Sequence, residues 1–89
     1  MKVVFDRSFI KSLDKLKEPS VKTKVEELIF KVQNTASLNT IPNIKKLTGY
    51  KTFYRFRIGD YRIGIELETS QTIRFIIVVH RKDIYKLFP

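Results

Sequence analysis

The fold is decided by one stretch of the chain, Tyr54-Arg55-Phe56-Arg57-Ile58-Gly59-Asp60-Tyr61-Arg62-Ile63-Gly64-Ile65. Apolar and polar side chains alternate on both sides of Gly59 and Asp60. Strict alternation around a two-residue loop that contains glycine predicts a β-hairpin. With Gly59 and Asp60 as the loop, one face of the hairpin is wholly apolar, and we expect that face to belong to the core.

The other face of the hairpin sets Arg57 opposite Arg62, and Arg55 opposite Gly64. Like charges directly opposed across two strands destabilise a sheet. Three explanations are open at this point. An acidic side chain elsewhere in the fold neutralises the pair, the pair is solvated and has no function, or the face holds an anion.

Composition bounds the class of protein. The chain has 89 residues, 43% of them hydrophobic, and no cysteine, which indicates one globular domain over residues 1–89 without disulfides or thiolate metal sites. No apolar run approaches the roughly 18 residues of a membrane span. The N-terminal apolar run is too short for a secretion signal. We therefore expect a cytoplasmic protein with no membrane partner.

Charge indicates the kind of partner. Eighteen basic residues against nine acidic ones give a net charge of +9, which implies a polyanion or a strongly acidic protein. Five of the six arginines lie between positions 55 and 81, whereas nine of the twelve lysines precede position 50. Because arginine binds phosphate in a planar, bidentate manner and lysine acts as a point charge, the C-terminal half looks like a phosphate site.

The N-terminal half predicts two helices. After a short β-prone run over residues 1–5, Asp6 or Ser8 can cap a helix that continues to about Lys17. A second amphipathic helix is expected from about Ser20 to Asn34, followed by a loop over residues 35–42. We predict an α+β fold in which this helical hairpin packs on the apolar face of an antiparallel sheet, with a short C-terminal helix.

A third sheet strand is predicted over residues 72–79, after a turn near residues 69–71. A three-residue turn sets Glu66 opposite Arg74, so that these two form a structural ion pair. The same register sets Ile65 opposite Phe75 and Ile63 opposite Ile77.

That register has consequences for the arginine face. It places Ile76, Val78 and His80 there, and something must then cover the apolar pair. The tail from Arg81 to Phe88 can do so, because Ile84, Leu87 and Phe88 have the spacing of a short amphipathic helix.

Few catalytic constellations are available to this chain. One histidine and no cysteine leave no recognisable metal cluster, and there is no glycine-rich phosphate loop and no nucleophile elbow. We therefore expect no metal and no small-molecule cofactor. What remains is a cationic group with two proton-transfer candidates, made of Arg55, Arg57, Arg62, His80, Arg81 and Tyr85.

This group suits metal-free phosphodiester transfer on RNA, in which the RNA's own 2′-OH attacks the neighbouring phosphate. Guanidinium groups can bind the phosphate and stabilise its growing charge. His80 and Tyr85 could manage the protons, with Arg81 and Tyr85 sharing one side of a helix at i, i+4 spacing. Each has a structural alternative: a histidine at a strand end often only packs, and Tyr85 could anchor the tail.

Three runs of this sequence, 46–49, 54–63 and 79–85, together resemble the RelE/ParE superfamily of type II toxin–antitoxin toxins, and the archaeal RelE-like branch in particular. The resemblance covers essentially the whole chain. It implies cleavage of messenger RNA in the ribosomal A site, without metal, and neutralisation by an acidic RelB-like antitoxin.

The resemblance also implies roles for single residues. Arg62 would stabilise the phosphate, Arg81 would act at the leaving group and Tyr85 would stack on or orient a nucleotide. Lys46 belongs to the first run, and we group it with Arg55 and Arg57 as a phosphate-binding residue.

The sequence departs from the family at Arg55 and Arg57, which match positions where the best-known bacterial RelE carries lysines, one of them proposed as general base. Arginine is a poor base, and His80 is the substitute. Two other functions stay open: a ParE-like, non-catalytic inhibitor of DNA gyrase, and a degenerate homologue that only binds RNA.

Overall fold

The computed structural model describes residues 1–89 as one mixed sheet with helices on both faces. Strand order is β1-β5-β4-β3-β2. The bounds are β1 Lys2–Phe5, α1 Arg7–Lys15, α2 Pro19–Gln33, β2 Ile44–Lys46, β3 Phe53–Ile58, β4 Tyr61–Thr69, β5 Thr72–His80 and α3 Ile84–Leu87, with a 3₁₀ turn at Leu38–Thr40. The α+β prediction is confirmed, with one addition: β1 joins the otherwise antiparallel sheet by pairing parallel to β5.

The helical hairpin covers one face of the sheet, as predicted. Pro19 is the first residue of α2, where its missing N–H costs no hydrogen bond. The side chains that meet between the helices and the sheet are buried and apolar. They include Phe9, Leu16, Val21, Val25, Val32, Phe56, Ile63, Ile65, Ile73, Phe75 and Val78.

The β3–β4 hairpin has the predicted register at every pair. Ile58 pairs with Tyr61, Arg57 with Arg62 and Arg55 with Gly64. Gly59 supplies the positive φ of the loop, at 55°. The arginines therefore lie on the face opposite the helical hairpin.

The β4–β5 register is only partly as predicted. Ile65 pairs with Phe75, as expected, but the register then shifts, so that Ile63 pairs with Val78 and not with Ile77. Ile76 is the extra residue of a β-bulge at this point. Two serines of α1 bond the bulged strand: Ser8 donates to the carbonyl of Ile76, and Ser12 Oγ accepts from the Val78 N–H at 3.0 Å.

The bulge reverses the facing of the rest of β5. Val78 was predicted on the arginine face, but it is buried in the helix-side core. His80 was also predicted there, and it pairs instead with Tyr61, with ring centroids 5.6 Å apart. Because Tyr61 packs against the helix-side core, the prediction that His80 shares the arginine face is wrong.

Arg74 is held by acidic side chains, but not by the predicted one. Glu66 does pair with Arg74 across the strands. The guanidinium nevertheless binds Glu68 at 2.9 Å and Asp6 at 3.6 Å, while Glu66 accepts from the Thr52 hydroxyl at 3.3 Å. The hydrogen bond to Glu68 is the main reason that the pKa of Arg74 is raised. Arg74 is therefore a neutralised, structural arginine.

The tail folds back over the arginine face, as predicted. Ile84 and Phe88 are buried in a small second core with Leu47, whereas Leu87 is exposed. The helix is shorter than expected: α3 begins at Ile84, so Arg81 lies in the turn before it and the predicted i, i+4 pairing with Tyr85 is wrong.

Gly64 makes room for this tail. A Cβ atom at this position would lie 2.7–2.8 Å from three ring atoms of Phe88. Phe88 therefore sits directly on the sheet, over the glycine that pairs with Arg55.

Candidate functional site

Four arginine side chains converge on the open part of this sheet face. Arg55 and Arg57 come from β3, Arg62 from β4 and Arg81 from the turn after β5. Burial lowers the pKa of Arg62, and the positive charges of the other three arginines lower it further. The four charges are thus close enough to repel one another.

Three of these four arginines, Arg55, Arg57 and Arg62, have no carboxylate partner. Arg62 Nη1 donates to the carbonyl oxygens of Gly59 at 2.8 Å and Tyr61 at 2.9 Å, which holds the guanidinium against the hairpin loop. Arg57 Nη2 donates to Asn43 Oδ1 at 3.4 Å. The ion pairs of the protein involve other cations, namely Arg74, Arg81 and Lys86. The first of the three explanations for this face, neutralisation by an acidic side chain, is therefore wrong.

Arg81 is placed by its backbone. Its N–H donates to the carbonyl of Asp60 at 2.8 Å, which ties the end of β5 to the hairpin loop. The side chain makes one long contact, 3.9 Å, from Nε to a carboxylate oxygen of Asp60, and both side chains are exposed. An exposed pair at this distance leaves the guanidinium available to another anion.

Tyr85 stands at the border of the arginine cluster. Its neighbour Ile84 and the following Phe88 are buried, so α3 is anchored while the Tyr85 ring stays 66% exposed. The phenol oxygen accepts a hydrogen bond from Arg55 Nε at 3.3 Å.

Lysines extend the positive surface to the sheet edge. Lys45 pairs with Arg55, whereas Lys46 pairs with Tyr54, whose ring packs on the helix side. Both lysines line a cleft beside Arg55. Lys45 was not predicted, because three residues of β2 carry too little alternation to be recognised as a strand.

His80 lies away from this cluster. Its Nδ1 accepts from the Lys82 N–H at 3.2 Å, and it lines a separate depression on the helix side with Glu18, Lys24 and Asp60. Of the predicted site residues, the structure thus brings together Arg55, Arg57, Arg62, Arg81 and Tyr85, with Lys46 at the edge, and leaves out His80.

The arrangement can bind a phosphate and stabilise added negative charge on it. Guanidinium groups that are already fixed by carbonyl and side-chain acceptors need little reorganisation when an anion arrives. No group of three or more histidine, cysteine, aspartate or glutamate side chains is placed to hold a metal ion. None of the helices has the length and the hydrophobicity of a membrane-spanning segment.

Comparison with known proteins gives the family. The model for the ParE toxin of type II toxin–antitoxin systems matches residues 3–85. Toxin RelE3 of Methanocaldococcus jannaschii is 44% identical over 90 residues, and the match covers the whole of both chains. This chain belongs to the RelE/ParE family. It is a toxin of a type II, RelBE-like toxin–antitoxin system.

Solved structures of RelE toxins share the fold. The RelB–RelE antitoxin–toxin complex from Methanococcus jannaschii matches with a TM-score of 0.83 and 41% identity, over 97% of this chain and 99% of that one. The archaeal RelE–RelB complex from Pyrococcus horikoshii OT3 matches with a TM-score of 0.68 and 20% identity, over 93% of this chain and 97% of that one. At 20% identity the second match shows the fold alone.

Proposed function

We propose that this RelE-family toxin is an endoribonuclease that cleaves messenger RNA in the ribosomal A site and so stops translation. The observation that carries the proposal is the arginine cluster, in which Arg55, Arg57 and Arg62 have no carboxylate partner, with Tyr85 at its border. Like charges directly opposed across strands destabilise a sheet, so a bound anion offsets the cost of this arrangement. A phosphate that gains negative charge during a reaction is stabilised by such preorganised cations.

In the proposed reaction the RNA provides the nucleophile. The 2′-oxygen forms a bond to the adjacent phosphorus, and the bond from phosphorus to the 5′-oxygen of the next nucleotide breaks. The products are a 2′,3′-cyclic phosphate and a free 5′-hydroxyl. One proton leaves the 2′-OH and one arrives at the 5′-oxygen, so the reaction needs no metal, oxidant or co-reactant.

Each arginine has its own role in the proposed reaction. Arg55 and Arg57 hold the phosphate, Arg62 stabilises the pentacoordinate transition state, and Arg81 lies at the leaving 5′-oxygen. Tyr85 orients a neighbouring nucleotide. Because guanidinium groups stay protonated at neutral pH and His80 faces the helix side, charge stabilisation and alignment supply most of the rate. Water accepts the 2′-OH proton, and water donates the proton that the leaving 5′-oxygen takes up.

The proposed inhibitor is an acidic RelB-like antitoxin. The Methanococcus jannaschii relative was solved as a RelB–RelE complex, and opposite net charge favours rapid, selective association with a chain of net charge +9. The antitoxin would place acidic side chains on Arg55, Arg57 and Arg62, or displace the segment that carries Tyr85.

Primer extension tests the activity. Induction of the toxin alone should arrest growth and yield cleavage sites inside translated codons, and purified toxin should cut ribosome-bound messenger RNA in the presence of EDTA. The matching family model carries the ParE name, so gyrase inhibition is the second candidate. Intact transcripts together with DNA trapped on gyrase would establish that function instead.

A further inference from the structure

A cleft of about 310 Å³ opens at the edge of the arginine cluster, between the β2–β3 connection and the tail. Its lining combines cations and aromatic rings and contains no acidic residue. The residues are Lys45, Lys46, Leu47, Thr48, Tyr50, Arg55, Tyr85, Phe88 and Pro89. Its size is at the lower end of small-ligand pockets, about 300–1,000 Å³, so it has room for a single nucleotide.

Tyr50 is presented to this cleft by a tight turn. The Tyr50 N–H donates to the carbonyl of Leu47 at 3.2 Å, and Gly49 between them has a φ of 85°, a conformation that side-chain-bearing residues seldom adopt. The turn therefore lifts a large aromatic side chain out of the fold, where Tyr50 remains 48% exposed.

The Tyr50 ring is nonetheless held in place. It meets Phe53 edge-on, with centroids 5.6 Å apart, and Phe53 meets the buried Phe88 in the same way at 5.5 Å. Edge-to-face pairs of this kind are favourable contacts. This chain of rings fixes the orientation of Tyr50, so that little conformational entropy remains to be lost when a ligand stacks on it.

We propose that this cleft binds the base of one nucleotide next to the scissile phosphate, with Tyr50 as a stacking surface and Lys45 and Lys46 on the adjoining backbone phosphate. The inference rests on the proposed function and adds a second nucleotide site to it. Arg55 lines the cleft and also belongs to the arginine cluster, so the two sites lie side by side along one strand of RNA.

A single-stranded nucleic acid fits the cleft better than an acidic peptide does. Alternating cations and exposed aromatic faces are the means by which proteins bind single strands, because every base has a π face. An acidic peptide would use the lysines and Arg55 but would leave the exposed rings of Tyr50 and Tyr85 without a flat partner.

The first experiment measures cleavage of messenger RNA on programmed ribosomes. Loss of one stacked base costs about 5- to 150-fold, and we expect kcat/KM of Tyr50→Ala to fall within that range. Tyr50→Phe should retain the activity, whereas Tyr50→Leu, which keeps an apolar contact with Phe53, should not. Phe30→Ala is the matched control, because Phe30 is an exposed aromatic on α2, outside the cleft. Melting temperatures verify that each variant folds.

The second experiment uses messenger RNA that is blocked by a 2′-O-methyl group and carries 5-iodouridine at successive positions beside the cleavage site. Irradiation should crosslink one position to Tyr50. An abasic nucleotide at that position should remove the difference in affinity between wild type and Tyr50→Ala, as a coupled pair requires.

These results separate the inference from the proposed function. A toxin that crosslinks through Tyr50 but does not cleave would keep the nucleotide site and overturn the nuclease. A toxin that cleaves equally well with Tyr50→Ala, and that does not crosslink there, would overturn the nucleotide site alone. If Tyr50→Ala weakens only the binding of the acidic antitoxin, the cleft is a protein contact and the inference is wrong.

Discussion

At the scale of single residues, Arg62 and Arg74 make the sharpest comparison. Both are strand arginines on the same face of the sheet, but Arg62 has only carbonyl acceptors whereas Arg74 is bound by Glu68 and Asp6. Loss of one preorganised charge contact to a transition state costs on the order of 10²–10³ in rate. We expect this loss in the kcat of Arg62→Ala, and a kcat within a few-fold of wild type for Arg74→Ala. Equal losses would contradict the assignment of Arg74 as structural.

His80 should be dispensable for the chemistry. Its imidazole lies on the helix side beside Tyr61, so we expect His80→Gln to cleave RNA at close to the wild-type rate. The pH profile of kcat should also show no inflection near pH 6–7, where a catalytic imidazole would ionise. A large loss of cleavage activity in a variant that still folds would show that His80 takes part in proton transfer.

Residue-level prediction worked where a residue's neighbours in the sequence fix its face. Arg55, Arg57 and Arg62 were placed correctly, because alternation on both sides of a two-residue loop leaves one register. Lys45 and Tyr50 lie in a short edge strand and a turn, where alternation gives no information. Their positions depend on pairing with β3 and on packing against Phe53.

At the scale of elements, one inserted residue decided which part of the site was predicted wrongly. A β-bulge reverses the facing of every side chain beyond it, and the bulge at Ile76 moved both Val78 and His80 to the helix side. The sequence of β5 by itself does not reveal the bulge. Ser8 and Ser12 on α1 bond the irregular backbone, and that pairing exists only once α1 has packed on the sheet.

The contact between Gly64 and Phe88 gives an element-scale prediction. The Cβ of Gly64→Ala would overlap the Phe88 ring, and overpacking of this kind typically costs about 1–3 kcal/mol of unfolding free energy. We expect the tail to detach, so that Tyr85 leaves Arg55 and cleavage slows. Hydrogen exchange of residues 84–88 should become faster.

A second substitution checks the cause of that effect. Phe88→Leu removes the ring that the new methyl group would strike, so the double variant Gly64→Ala with Phe88→Leu should regain protection of the tail relative to Gly64→Ala. If the single variant exchanges and cleaves as the wild type does, Gly64 is not what positions α3.

At the scale of the whole molecule, the excess of positive charge is divided between two surfaces. The arginine cluster and its lysine edge form one, and the helical hairpin carries five further lysines, Lys11, Lys15, Lys22, Lys24 and Lys31. The ion pairs between side chains engage three of the eighteen basic residues, namely Arg74, Arg81 and Lys86, so the other fifteen and the net charge of +9 can attract a polyanion.

This charge leads to a prediction about the antitoxin. Electrostatic attraction raises association rates and is screened by salt, so the rate constant for binding an acidic antitoxin should fall steeply as ionic strength rises, while the dissociation rate changes little. Stopped-flow fluorescence measures both rate constants.

A competition experiment tests where the antitoxin binds. If the antitoxin covers the arginine cluster, a non-cleavable single-stranded RNA should compete with it, and the double variant Arg55→Ala with Arg57→Ala should bind both the RNA and the antitoxin more weakly. Lys11→Ala with Lys15→Ala, on the first helix, is the matched control for net charge and should slow association without changing the competition. An antitoxin that binds the RNA-loaded toxin unhindered would place its inhibitory contact elsewhere on the molecule.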